Sequence, residues 1–335
     1  MKFTTGVFHI YFYIVSFFPQ EIFTYHRYYG IIFYIYIMKG RAVVKLTEYF
    51  AKNNLSMSFE VFPPKTDASI ESVTHATEAM ALLHPAFMSV TYGAGGGTSK
   101  YTLEIARHIE EDYGVPTVAH LTCVSSTRET VRQRIRELKD AGIDNIMALR
   151  GDLTPDQIGR DRTDWHFRHA VDLIHEIKES GGDFCIGGAC YPEVHPESKN
   201  QKEDIFYLKE KVDAGCSFLT TQMFFDNNLL YNFLYKIREA GITVPVVAGI
   251  MPITNARQID RAIKLSGSFI PQRFKALVDR FGSDPFAMKQ AGIAYATDQI
   301  IDLYANGVNY VHVYSMNKPE VAEQIQSNVS EILKI

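Results

Sequence analysis

Several things that would narrow the chemistry at once are scarce in this sequence. Cysteine is one: Cys123, Cys185, Cys190 and Cys216 are the four among 335 residues, with no CxxC pair and no metal-ligand cluster. That excludes a disulfide-stapled scaffold and a cysteine zinc site, and it points to free thiols in a reducing, cytoplasmic setting. Charge of one sign is also lacking. The net charge is -4 and no long basic run occurs, which argues against a nucleic-acid partner. There is no HExxH, no two-histidine-one-carboxylate spacing and no nucleophile elbow. A strand-end lysine suited to a Schiff base is missing too, because Lys65 lies past Pro63 and Pro64.

Leucine, alanine and aspartate are absent from the first 38 residues, where seven Phe and seven Tyr crowd together. Residues 3–20 carry no charged side chain, so a signal anchor or marginal membrane helix has to be weighed. Against it, Pro19 and Thr4-Thr5-Gly6 interrupt the run, and no small-residue cleavage site follows. The composition is what AT-rich noncoding DNA tends to encode, and Met38-Lys39 offers a later start. Residues 1–38 are therefore expected to stand apart from the fold, with no membrane association, and residues 45–335 to form one domain. Hydrophobic residues make up 46% of the chain, ample for a large core.

From residue 56 onward, short apolar runs alternate with longer amphipathic ones. The strand candidates are 57–62, 87–92, 117–123, 145–150, 185–191, 218–224, 244–250 and 310–315. Between them lie segments such as 127–140 and 200–214, whose apolar residues recur at three- and four-residue spacing. Several end in glycine, at Gly142, Gly215, Gly241 and Gly307, where a helix stop is expected. Eight strand–helix units predict a parallel, closed (β/α)8 TIM barrel in a single domain. An insertion at about 268–284, with its own helix at 272–281, precedes the last strand. A doubly wound open sheet is the structural alternative, but no convincing dinucleotide fingerprint follows the first strand. The "GAGGG" at 93–97 follows the second strand and has Thr98 in the sixth position. It reads as a flexible loop, or as a cradle for a phosphate or ring edge.

Barrel enzymes work at the carboxyl ends of their strands, where the βα loops converge. The polar residues at those ends are Glu60, Thr91 with Tyr92, His120 with Thr122, Arg150 with Asp152, Tyr191 followed by His195, Gln222, and Tyr314 with Asn317. A lone residue such as His120 is commonly a hydrogen-bonded core group. Seven of eight strands supplying polar groups to one rim is harder to assign to packing. With no metal pattern, the chemistry is expected to come from an organic cofactor that the protein positions.

The segments SFEVFPPK, SVTYGAGGGTS, AHLTC, ALRGD, YPEVHPES, KVDAG, TTQMFFD and GIMPI, in this order over about residues 50–333, closely resemble the bacterial methylenetetrahydrofolate reductases. The resemblance implies a (β/α)8 barrel that binds FAD and reduces 5,10-methylenetetrahydrofolate to 5-methyltetrahydrofolate with NADH or NADPH. The implied mechanism is ping-pong, the setting one-carbon metabolism and methionine synthesis, and the assembly a homo-oligomer. It implies Glu60 as general acid. It places Thr91, Tyr92, Ala94, His120, Arg150, Gly151, Asp152, Tyr191 and His195 on the FAD, with Ala170, Ser198, Asp204 and Lys211 as further contacts. Gln222, Gln258, Lys318 and Asp152 match positions at the folate. Tyr207, Glu210 and Lys318 depart from residues common in the family, and Glu210 cannot donate to a phosphate. A flavin barrel acting on another substrate, such as a proline-type dehydrogenase, is the alternative activity.

Glu60 sits between Phe59 and Val61, ahead of two prolines. An apolar setting raises a carboxyl's pKa, so Glu60 is expected to stay protonated near neutrality and to act as an acid.

Overall fold

The computed structural model describes residues 45–335 except Lys65, 93–98 and 154–164. Residues 1–38, the glycine run and Ala94 lie outside the described residues.

The strands are β1 (Ser56–Val61), β2 (Met88–Val90), β3 (Thr117–Thr122), β4 (Asn145–Leu149), β5 (Cys185–Cys190), β6 (Phe218–Thr221), β7 (Val246–Ile250) and β8 (Tyr310–Val313). They pair in parallel in the order β1 to β8, and β8 pairs with β1 to close the barrel. The strands are buried along nearly their whole length, as parallel strands covered on both faces must be.

Helix α1 (Leu46–Ala51) precedes β1. The covering helices are α2 (Ile70–Ala81), α3 (Ser99–Tyr113), α4 (Arg128–Asp140), α5 (Ala170–Glu179), α6 (Gln201–Asp213) and α7 (Asn227–Glu239). Between β7 and β8 come α8 (Arg257–Ser266), α9 (Gln272–Phe281) and α10 (Pro285–Ala305), and the chain ends in α11 (Pro319–Asn328) and α12 (Ser330–Leu333). The insertion's helix therefore falls on the residues expected. Side chains of Thr127, Asn200, Asp226 and Asp284 accept from first-turn backbone N–H groups and start α4, α6, α7 and α10. The four glycines read as helix stops all adopt positive φ, a conformation only glycine enters without strain.

One end of the barrel is plugged. The ring of Phe50 on α1 lies 5.4 Å from Phe218 and 4.8 Å from Tyr310. Leu46 N–H donates to Asn145 Oδ1 at 2.9 Å, which fastens the plug to β4. Phe50, Phe87, Val118, Met147, Cys185, Phe218, Val247 and Tyr310 form this apolar floor. The opposite rim is left for chemistry.

Most strands end earlier than the apolar runs do. The run 218–224 is a strand only to Thr221, and 87–92 only over Met88–Val90. Hydrophobicity continues because Phe224 and Phe225 are buried beneath the loop, so burial outlasts pairing. At β1 the ladder stops at Val61. Asn317 then takes over: its Oδ1 accepts from Phe62 N–H at 2.9 Å and its Nδ2 donates to Phe62 O at 2.8 Å. Pro63 and Pro64 follow with no N–H to donate, which ends the strand. No helix among the described residues is long and apolar enough to cross a membrane.

Candidate active site

Side chains alternate along a strand, so Ser58 and Glu60 share one face of β1 while Phe59 and Val61 share the other. Phe59 and Val61 pack with the main core. Ser58 and Glu60 face the lumen, where they meet residues of β2, β3 and β8. Thus the sequence neighbours of Glu60 are not its surroundings. Its surroundings are Ser89, His120 and His312: Ser89 Oγ lies 3.2 Å from Glu60 Oε2, His120 Nε2 at 3.6 Å and His312 Nε2 at 4.0 Å.

Glu60 is 7% exposed. Burial pushes its carboxyl up to about 8, with the Ser89 hydroxyl acting to lower it. The neighbouring imidazoles do not supply a cation. Burial holds His120 down at about 4 and His312 at about 3. Tyr314 is half-buried; desolvation and then Glu60 raise the pKa of its phenol, and its hydroxyl donates to Thr221 O at 2.7 Å. The result is a little-exposed lumen of neutral polar groups around one carboxylic acid, a setting in which the acid form is favoured.

The next strands build the rest of the rim. Thr91 and Tyr92 are half-buried at the end of β2. Arg150 follows β4, and its Nη1 donates to Glu197 Oε2 at 2.7 Å. Gly151 has φ +91°, and a Cβ there would meet Val124 Cγ1 at 2.8 Å and Thr122 Cβ at 3.0 Å. Asp152 is exposed, and its charge acts on Arg150 and Tyr191. Burial pushes the Tyr191 phenol up to about 12, and its ring meets His195 edge-on at 4.6 Å. Asp204 on α6 ties this loop down: Oδ2 accepts from His195 N–H at 3.1 Å and Oδ1 from Ser198 Oγ at 3.2 Å. Burial lowers the pKa of His195. Ala170 opens α5, and beside it His169 lies parallel to Tyr207, 6.4 Å between ring centres. Lys211 is half-buried, and its Nζ donates to Ala189 O at 2.6 Å at the end of β5.

On the other side of the rim, Gln222 follows β6, and its N–H donates to Cys190 O at 2.8 Å. Gln258 and Lys318 meet through Thr254. Gln258 Oε1 accepts from Thr254 N–H at 2.8 Å, and Lys318 Nζ donates to Thr254 Oγ1 at 2.9 Å. Glu60 and His120 are in contact, and His195, Ser198 and Asp204 form one cluster. Asp152 stands outside both. Sequence reading missed Ser58, Ser89 and His312. Each lies two residues before a strand-end polar residue already singled out: Glu60, Thr91 and Tyr314. A period-two search inward from the rim finds them.

Among the described residues no group of His, Cys, Asp and Glu is placed to hold a metal ion. The donor set suits a flat heteroaromatic cofactor instead. Half-buried Thr91, Tyr92, Arg150, Tyr191 and His195 offer aromatic faces and hydrogen-bonding groups, and glycine at 151 lets the turn after β4 pack against Val124 and Thr122.

A family profile described as methylenetetrahydrofolate reductase matches residues 45–330. A 5,10-methylenetetrahydrofolate reductase of Pectobacterium carotovorum is 35% identical over 274 residues, covering 82% of this chain and 90% of that protein. Methylenetetrahydrofolate reductase (NADH) 1 of Zea mays is 34% identical over 302 residues, covering 87% of this chain; the chain spans 51% of that relative's length. Among solved structures, an uncharacterized protein from Clostridium thermocellum that binds two copies of 5-methyl-5,6,7,8-tetrahydrofolic acid shares the fold. Its TM-score is 0.60 at 14% identity, over 86% of this chain and 99% of its own.

Proposed function

The chain belongs to the methylenetetrahydrofolate reductase family, and from that we propose that it reduces 5,10-methylenetetrahydrofolate to 5-methyltetrahydrofolate with NADH or NADPH, using FAD. The observation that carries this reading is Glu60, a lumen carboxyl held protonated to about pH 8 by burial.

FAD bound at the rim would supply hydride transfer between the dinucleotide and the folate. Thr91, Tyr92, His120, Arg150, Gly151, Tyr191, His195, Ser198, Asp204 and Lys211 would hold it, with Ala170 beside them. Arg150 would have to share its guanidinium between Glu197 and any phosphate.

The chain's own work is on the proton. The methylene carbon bridges two nitrogens and accepts hydride only as an iminium, so one carbon–nitrogen bond must break first. The departing nitrogen needs a proton to leave. Glu60 donates it and becomes a carboxylate. A donor whose pKa lies near the working pH is both loaded and willing to give. Gln222, Gln258 and Lys318 are the residues proposed to orient the folate. Asp152 adds negative charge beside Arg150 and Tyr191, where it would tune folate affinity. The protein is proposed to work in the cytoplasm as a homo-oligomer.

The visible spectrum of the purified protein tests the reading. A flavin band that bleaches with NADH or NADPH and returns on adding 5,10-methylenetetrahydrofolate supports it. A protein that stays colourless with added FAD, or one that bleaches and is not reoxidised by the folate, overturns it.

A further inference from the structure

The lumen holds four polar contacts in series. Ser58 Oγ lies 3.0 Å from Val311 O, His312 Nδ1 lies 2.7 Å from Ser58 Oγ, Ser89 Oγ lies 2.9 Å from His312 Nε2, and Glu60 Oε2 lies 3.2 Å from Ser89 Oγ. All four side chains are buried, His312 at 2%, Ser58 and Ser89 at 1%. So little exposed surface makes an unmade bond among these groups costly.

We propose that Ser58, His312 and Ser89 form a buried relay that keeps one proton on Glu60, making them positioning residues for its acid form. The inference rests on the proposed role of Glu60 and specifies what holds that residue ready.

The reasoning is a count of protons. Each of the four contacts needs one. Ser58, Ser89 and a neutral His312 bring one each, and the Val311 carbonyl brings none. When Glu60 is protonated there are four protons for four contacts. Ser58 donates to Val311 O, His312 Nδ1–H to Ser58, Ser89 to His312 Nε2, and Glu60 to Ser89. When Glu60 is ionised there are three, and one buried contact must go unmade. Ser89 Oγ can also turn its proton to Glu60, and in that orientation it lowers the Glu60 pKa and favours the carboxylate. That hydroxyl has a single proton, and His312 Nε2 at 2.9 Å is nearer than Glu60 Oε2 at 3.2 Å.

One other arrangement satisfies the count, an imidazolium at His312 with a Glu60 carboxylate. Burial works against it: His312 is 2% exposed, packed between Phe87 and Tyr314, and a charged ring there would lose its hydration. His120 is the remaining titratable neighbour, and it too opposes a charge on His312. The groups facing Glu60 are Ser89 on β2, His120 on β3, His312 on β8 and Tyr314 just after it. Near neutrality none of these histidine or tyrosine side chains is ionised, so none draws the proton away.

Ser58 is the discriminating position, because it touches neither Glu60 nor Ser89. In Ser58→Ala two contacts remain between His312 and Glu60. The protons of His312 and Ser89 satisfy both with Glu60 ionised, so the bias disappears. The measurement is the carboxylic-acid C=O stretch of Glu60 in the flavin-loaded enzyme, followed by infrared difference titration and assigned by its loss in Glu60→Gln. The expected result is a wild-type band persisting beyond neutral pH, with proton affinity lowered roughly fivefold or more in Ser58→Ala, one ordinary hydrogen bond's worth. Ser58→Thr, which restores the hydroxyl, should return it. Ser89→Ala, which cuts the relay elsewhere, should shift it the same way and serves if Ser58→Ala does not fold. A wild-type band with an unmoved midpoint in Ser58→Ala or Ser89→Ala overturns the relay and leaves the acid role standing. A wild-type band already lost below neutral pH removes both. A midpoint that shifts as expected in an enzyme whose Glu60→Gln variant still reduces folate keeps the relay and removes the acid role.

Discussion

Replacing Glu60 by Gln should change how stability depends on pH, in a direction opposite to that of most carboxylates. Folded Glu60 titrates at about 8 against an ordinary 4.5. At about 1.4 kcal/mol per pH unit, that gap of about 3.5 units corresponds to about 5 kcal/mol. Below pH 4.5 the group is protonated in both the folded and unfolded chain and contributes no difference. As pH rises from about 4.5 to about 8, the unfolded chain releases this proton and the folded one keeps it, so the wild type is progressively destabilised. Above about 8 the loss levels off. Glu60→Gln keeps the shape and a polar tip but cannot ionise. Urea unfolding of both proteins between pH 5 and 9 gives the two stability curves. Their difference cancels the lumen histidines, which pull the other way because they are held below 6.5 and cost stability as pH falls. The expected difference grows in favour of the variant by several kcal/mol between pH 5 and 8. Parallel curves across that window would show that Glu60 is not held protonated and would refute the reasoning.

Asn317→Ala removes both bonds to Phe62 and should lower stability by about 1–3 kcal/mol, with folate turnover falling more than dinucleotide oxidation because the strand end carrying Glu60 is loosened; thermal melts and the two half-reactions check this. Gly292→Ala drives a Cβ to 1.8 Å from Ile253 O, so α10 must shift; a loss of about 1–3 kcal/mol or more is expected, read as a lowered melting temperature. The four thiols are free and buried, and burial pushes Cys123 and Cys216 up to about 12; native protein should react negligibly with a thiol reagent at pH 8, and unfolded protein should show all four.

The barrel was legible because short apolar-rich runs recur eight times and several of the helices between them stop at glycine, so period and punctuation agreed. Strand ends were not, since Phe224 and Phe225 stay buried in a loop after β6 stops pairing, and hydropathy does not distinguish the two. Glu60 stood out for its composition, but the reason first offered concerned the wrong face: Phe59 and Val61 pack outward while Glu60 looks inward at Ser89, His120 and His312. The partners that hold it come from strands 29 and 252 residues away in sequence, a register that only barrel closure sets. Asn317 lay on the rim in sequence, yet its grip on Phe62 depends on the β1–β8 pairing. The resemblance places Lys211 on the cofactor; its Nζ donates to Ala189 O at 2.6 Å, which fixes the side chain and leaves two further N–H donors.

The central claim is that Glu60 supplies the proton that opens the folate bridge. The most direct measurement is rapid mixing of dinucleotide-reduced enzyme with 5,10-methylenetetrahydrofolate, wild type against Glu60→Gln, with reoxidation followed in the visible spectrum. The account predicts that both proteins are reduced at similar rates, that the wild type is reoxidised with formation of 5-methyltetrahydrofolate, and that reoxidation of Glu60→Gln falls by a factor of 100 or more, the scale of general acid catalysis. Reoxidation of Glu60→Gln at a rate near wild type would contradict it.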